Sequence, residues 1–151
     1  MNTEKSLWGD LPLADVTRTP IIILREQATI LTELTNGLLE GVVTNRVTEG
    51  TNRLISQVED REPKEFSATL SIIAPALDGY VFRIMQVNYN LELYPVEVVA
   101  LASHFFLSRD STVSCDNEQE FVEALGNILS SDSVRQAIGR LLAQSKSAIP
   151  V

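Results

Sequence analysis

The sequence predicts an α+β domain: one amphipathic helix, then an antiparallel meander of four to six strands, then two C-terminal helices, with the helices packed mainly on one face of the sheet. Three observations predict it. Apolar residues recur at three- and four-residue spacing near both ends of the chain, they alternate at a spacing of two through the middle, and the strand-like segments follow one another without an intervening helical pattern. At 151 residues, 44% of them hydrophobic and 21% charged, the chain can bury roughly 70% of the surface its unfolded form exposes. That composition excludes collagen, a disordered tail and a disulfide-stapled scaffold.

Residues 1–18 set Leu7, Trp8, Leu11, Leu13 and Val16 among polar residues without a period, and read as an irregular arm anchored by Trp8. A single domain is expected over 19–147, with a frayed tail at 148–151. Thr19-Pro20 opens the first helix, because threonine caps and proline's missing N–H is harmless at the first helical position. Its apolar stripe is Ile23, Leu24, Ala28, Leu31, Leu34 and Leu38, and Gly37 supplies the left-handed stop. From Leu39 to Thr48 the period changes to two. Glu49-Gly50 then leads into Thr51–Glu59, which predicts a hairpin, and the charged run Asp60–Lys64 predicts a surface loop.

Phe66, Ala68, Leu70, Ile72 and Ala74 alternate with Ser67, Thr69 and Ser71, which predicts a strand buried on one face. Asp78-Gly79 is a turn dipeptide, and Tyr80–Tyr89 returns as a central strand apolar on both faces over much of its length. Pro75 falls near the strand end or marks a bulge. Leu91, Leu93, Val96, Val98 and Val99 predict one more strand broken at Tyr94-Pro95, while Val96–Phe106 is compatible with strand or helix. Ser108–Cys115 reads as a polar loop or short edge piece. Asp116 caps a helix with Gln119 at its third position and a stripe of Phe121, Val122, Leu125, Ile128 and Leu129. Ser130-Ser131-Asp132 ends that helix and caps the last, whose buried face is Val134, Ala137, Ile138, Leu141 and Leu142, with fraying after Ser145.

Charge restricts the partners. Twenty acidic against 12 basic side chains give a net charge of -8, and each half of the chain nets -4. Nucleic-acid binding needs clustered Lys and Arg, and the nearest approach, Arg61 and Lys64, is interleaved with Glu62 and Glu65. That reading is set aside unless folding gathers Arg25, Arg46, Arg53 and Arg83 on one face. A protein partner with a basic surface fits better, steered by the acidic 59–65 loop and the acidic first turn after Asp116. The N-terminus lacks a secretory pattern, the Val96–Leu107 stretch is too short to span a membrane, and Cys115 has no second cysteine to pair with. Together these predict a cytoplasmic protein.

No cofactor or metal is expected. One Cys and one His cannot build a zinc site, and the single glycines form no phosphate cradle. Asp116, Glu118 and Glu120 read as the acidic first turn that a helix dipole favours. His104, the only histidine, sits between Ser103 and Phe105-Phe106 and reads first as a structural residue; Cys115 reads first as a small buried apolar one. If the two share a pocket between sheet and helices, they are the candidate catalytic or ligand-binding residues. Tyr80, Tyr89 and Tyr94 with Arg83, Gln86, Asn88 and Asn90 mix amphipathic aromatic and adaptable polar groups as interfaces do, and Trp8 joins them as a candidate contact. An antiparallel sheet covered on one face leaves the other face or an edge strand for a partner segment or a second copy. The expected function is therefore a non-enzymatic protein–protein interaction module, an accessory, immunity-like or antitoxin-like factor and a potential homodimer. The alternative is a small enzyme or ligand-binding domain built on His104 and Cys115.

Overall fold

A computed structural model describes residues 6–11, 18–48, 65–101 and 112–149. Helix α1 (Pro20–Leu34) is followed by strands β1 (Glu40–Thr48), β2 (Glu65–Ala74), β3 (Tyr80–Tyr89), β4 (Val96–Ala100) and β5 (Thr112–Cys115), then by helices α2 (Glu118–Leu129) and α3 (Asp132–Ala148). The strands form one five-stranded sheet in the order β1-β2-β3-β4-β5, and every neighbouring pair is antiparallel. The α+β meander expected from the sequence is the fold observed. Among the described residues no helix is long and apolar enough to cross a membrane.

Local chemistry sets the element ends. Thr19 Oγ1 accepts from the Ile22 N–H at 3.2 Å, and Gly37, at φ +79°, turns the chain out of α1. Pro75 begins a short 3₁₀ turn, Pro75–Leu77. Asp78 and Gly79 complete the reversal with φ of 59° and 73°, values an Asp-Gly pair tolerates.

Strand β3 holds the sheet centre. Its register against β2 shifts between Leu70 and Ser71: Leu70 faces Met85 and Ser71 faces Arg83, which leaves Ile84 as the extra residue of a bulge. Ile84 and Met85 are therefore both buried although adjacent in sequence, and this is why the strand reads as apolar on both faces. Ala68, Leu70, Ile72 and Ala74 of β2, Val87 and Tyr89 of β3, Val96 and Val98 of β4 and Cys115 of β5 complete the sheet's side of the core. Ile23, Leu24 and Ala28 of α1, Phe121 and Leu125 of α2, and Val134 and Leu141 of α3 close it from the helix layer. Helix α1 lies on β1, α2 on β4 and β5, and α3 over the 3₁₀ turn.

The closest approach is at Gly41 of β1. A Cβ there would lie 2.6 Å from Ala28 Cα, so only glycine lets α1 rest on this strand. The Gly41 N–H donates to Thr32 Oγ1 at 2.9 Å and locks that contact.

Several expectations need correction. Strand β1 pairs along its whole length with β2; the expected hairpin partner Thr51–Glu59 and the Asp60–Lys64 loop lie outside the described residues. Leu91 and Leu93 belong to a turn, because Asn90 Oδ1 accepts from the Glu92 N–H and Asn90 O from the Leu93 N–H, with Leu93 at φ 74°. Over Val96–Ala100 the chain is strand, while 102–111 lies outside the described residues. The cap of α2 is Asn117, whose Oδ1 accepts from the Glu120 N–H at 2.9 Å, while Glu120 reaches back to accept from the Asp116 N–H at 2.8 Å. The capping box thus exists one residue later than expected. Leu34 and Val122 fall off their stripes, at 77% and 45% exposed: Leu34 is the last residue of α1, and Val122 is turned about 100° round α2 from the buried Phe121. Trp8 is 79% exposed and anchors nothing among the described residues. Helix α3 continues past Ser145 to Ala148.

Candidate functional site

Alternation along the strands sends one set of side chains into the core and the other to the opposite face of the sheet. Register identifies the second set: Thr44 and Arg46 from β1, Ser67, Thr69 and Ser71 from β2, and Val81, Arg83, Gln86 and Asn88 from β3. No described helix lies over them, and they line a cleft of about 630 Å³. Past Asn88 the cleft runs on into a second depression of about 490 Å³ over Asn90, Pro95, Glu97 and Ser114. The open face is therefore one elongated groove that crosses the sheet from β1 to β5.

Hydroxyls, carboxamides, the guanidiniums of Arg46 and Arg83 and the carboxylates of Glu65 and Glu97 line the groove. Gln86 Nε2 donates to Asn88 Oδ1 at 3.0 Å, and Asn88 Nδ2 donates to Glu97 Oε1 at 3.3 Å, a polar chain that fixes the carboxylate of Glu97 at the β4 side. Arg46 and Arg83 make no ion pair among the described residues. Arg18, by contrast, bridges Glu26 on α1 and Glu118 on α2 across the helix layer. The acidic first turn of α2 is thus used inside the molecule: Glu118 pairs with Arg18, and Glu120 caps its own helix.

The sequence candidates separate in space. Arg83, Gln86 and Asn88 share the open face. Tyr89 faces the core, 6% exposed, and stacks on Phe66 with ring centroids 5.6 Å apart. Tyr94 packs against the core with its hydroxyl buried and unpartnered among the described residues. Burial raises the pKa of both tyrosines above the ordinary value, with Glu118 adding to the rise at Tyr94. Tyr80, 54% exposed, sits opposite Ala74 at the far end of the β2–β3 pair. None of the three tyrosines lines the cleft that holds Arg83, although Tyr89 borders the adjoining depression. Of the four arginines considered for nucleic acid, Arg46 and Arg83 share the groove, Arg25 is on α1 with the helix layer, and Arg53 lies outside the described residues.

Cys115 ends β5 in the core, 1% exposed. Burial first, then the charges of Glu120 and Asp116, raise its thiol pKa, so it stays protonated and a poor nucleophile. His104 lies outside the described residues. Among the described residues no cluster of three or more His, Cys, Asp or Glu could hold a metal. Sequence reasoning missed Thr44, Ser67, Thr69 and Ser71 as site residues and weighed Arg46 only for nucleic acid; their signal is the polar phase of each alternating strand. On the helix side, a small apolar groove of about 200 Å³ lies between α1 and α3, rimmed by Ile30, Leu34 and Ile138. No family model, no characterised protein and no solved structure matches the chain.

Proposed function

We propose that this protein is a non-enzymatic protein–protein interaction module of the cytoplasm, an accessory factor that docks its partner on the open face of the sheet. The observation that carries the reading is the groove itself: concave, rich in hydrogen-bonding groups that rigid strands hold in place, and supplied with two arginines that form no ion pair among the described residues. Arginine on a rigid surface is a favoured interface residue, because its planar fork makes paired bonds with carboxylates at little entropic cost. Opposing the enzymatic alternative, Cys115 is buried and held as a thiol. The net charge of -8 favours a partner whose surface as a whole is basic, drawn in at long range. A homodimer formed through the same face is the self-associating form of this reading.

The test uses a photo-crosslinking residue in place of Thr69 in the groove or Glu123 on α2. The groove position is expected to trap one protein in the cell, and the helix position none. Once that protein is identified and purified, Thr69→Trp should weaken the reconstituted complex at least tenfold. Equal trapping from both positions, or a complex indifferent to Thr69→Trp, refutes docking on this face. Sizing of the purified chain measures self-association.

A further inference from the structure

The shape and charge of the groove also define what enters it. We infer that the groove receives an extended acidic segment of the partner, whose carboxylates are read by Arg46 and Arg83; this rests on the docking reading above and names the ligand chemistry of the same face. Arg46 stands opposite Ser67 on one side of β2, and Arg83 stands opposite Ser71 on the other. Four residues along a strand and two strand spacings across it put the two arginine backbones about 16 Å apart on a diagonal. An extended chain covers that span in about five residues, and side chains four or six positions apart fall on the same face of it. Between the arginines lie the half-buried Ser67 and Thr69, hydroxyls that both donate and accept and so suit the backbone of a bound strand, while Ser71 beside Arg83 is buried. Continuation of the groove over Asn88 to Ser114 gives room for a segment longer than a compact metabolite would need.

Charge decides the sign of that segment. Glu65 and Glu97 also line the groove, but neither forms an ion pair with Arg46 or Arg83, so among the described residues both guanidiniums remain open to a carboxylate from outside. Charges farther away than the Debye length of about 8 Å at physiological salt are largely screened, so the groups that line the groove weigh most on a carboxylate inside it. Paired N–H donation to a carboxylate is the strong form of this contact.

Fluorescent peptides of alternating Glu and Thr, or Lys and Thr, titrated with the full-length chain test the inference by anisotropy. The Glu-Thr peptide should bind saturably and the Lys-Thr peptide should not. R46Q/R83Q should weaken Glu-Thr binding by about tenfold to a hundredfold, the loss expected for charge-assisted bonds. Arg140→Gln on α3 should leave it unchanged. The charge-reversed R46E/R83E should gain the Lys-Thr peptide, a gain that misfolding cannot produce. Preference of the wild type for Lys-Thr, or Glu-Thr binding that survives R46Q/R83Q, overturns the inference. If that happens while Thr69→Trp still breaks the reconstituted complex, the docking face stands and the acidic-segment inference alone falls.

Discussion

Replacement of Gly41 by alanine isolates the contact on which α1 is seated. The added Cβ would lie 2.6 Å from Ala28 Cα and 2.8 Å from Ala28 C, against an ordinary carbon–carbon separation of about 3.5–4.0 Å. Both neighbours are backbone, so no rotamer change relieves the overlap and α1 must retreat by roughly 1 Å. Retreat unpacks Ile23, Leu24 and Ala28 from the sheet and stretches the Gly41 N–H to Thr32 bond. Overpacking costs about 1–3 kcal/mol and the weakened hydrogen bond about 1 kcal/mol. The stiffer unfolded chain returns about 0.4–1 kcal/mol. The net loss is about 2 kcal/mol, which lowers Tm by about 4–8 °C in a domain of this length. Urea unfolding followed by circular dichroism should show a lower midpoint with an unchanged slope. Gly126→Ala is the control. Nothing lies within 4 Å of a Cβ there, so inside α2 the same substitution should stabilise by about 0.5–1 kcal/mol. Ala28→Gly should fail to rescue Gly41→Ala, because the clash involves Ala28's backbone. A Gly41→Ala protein at least as stable as wild type, or two alanine variants shifted in the same direction, refutes the seating argument.

Other consequences follow from burial. Phe121→Ala empties a fully buried site and should cost about 3–5 kcal/mol in the same urea assay. Ser145 is fully buried with a hydroxyl that has no partner among the described residues, so Ser145→Ala should be neutral or stabilise by up to about 1 kcal/mol. The raised pKa of Cys115 means that the folded state keeps a proton which the unfolded chain gives up above about pH 9. Its contribution to stability is therefore complete below that pH and is lost as pH rises through the folded value. Stability measured from pH 8 upward should begin to fall near pH 9, with a gentler onset in Cys115→Val; native Cys115 should resist iodoacetamide until urea is added. In the groove, R46Q/R83Q should change stability by no more than about 0.5 kcal/mol, so that any loss of binding is read as recognition.

Where the sequence was legible, one local rule determined the outcome. Thr19-Pro20 opened a helix because Thr19 accepts from one orphan donor, the Ile22 N–H, and Pro20 removes another, and Phe66–Ala74 formed a strand because its alternation has only one half-buried solution. Asp78-Gly79 turned because both positions need positive φ. Where expectations failed, tertiary placement intervened. The helical period put Leu34 and Val122 on apolar stripes, but the period carries no information on where packing under α1 stops or how wide the buried face of α2 is. Leu91 and Leu93 resemble a strand in composition, yet the Asn90 side chain and carbonyl capture the following amides first. The groove was half legible. Arg83, Gln86 and Asn88 stood out within one segment, whereas Arg46 joins them only through a register that connects residues 46, 67 and 88, and no single stretch of sequence contains that information.

The net charge and the groove pull in opposite directions, and distance separates their effects. A charge of -8 spread over the body acts on an approaching partner as a whole and governs how often encounters occur. Arg46 and Arg83 act only on what has already entered the groove, and govern how long it stays. The two requirements are compatible in a partner that is basic over most of its surface and presents an acidic strand. Salt then has a distinguishing effect: raising it should slow association with the whole partner by screening the body. For the isolated acidic peptide, which the body repels and the groove attracts, the same screening should speed association while it hastens release. A peptide whose association instead slows with added salt would mean that the field at the groove mouth is set by the arginines and not by the body, and the division between steering and holding would have to be abandoned.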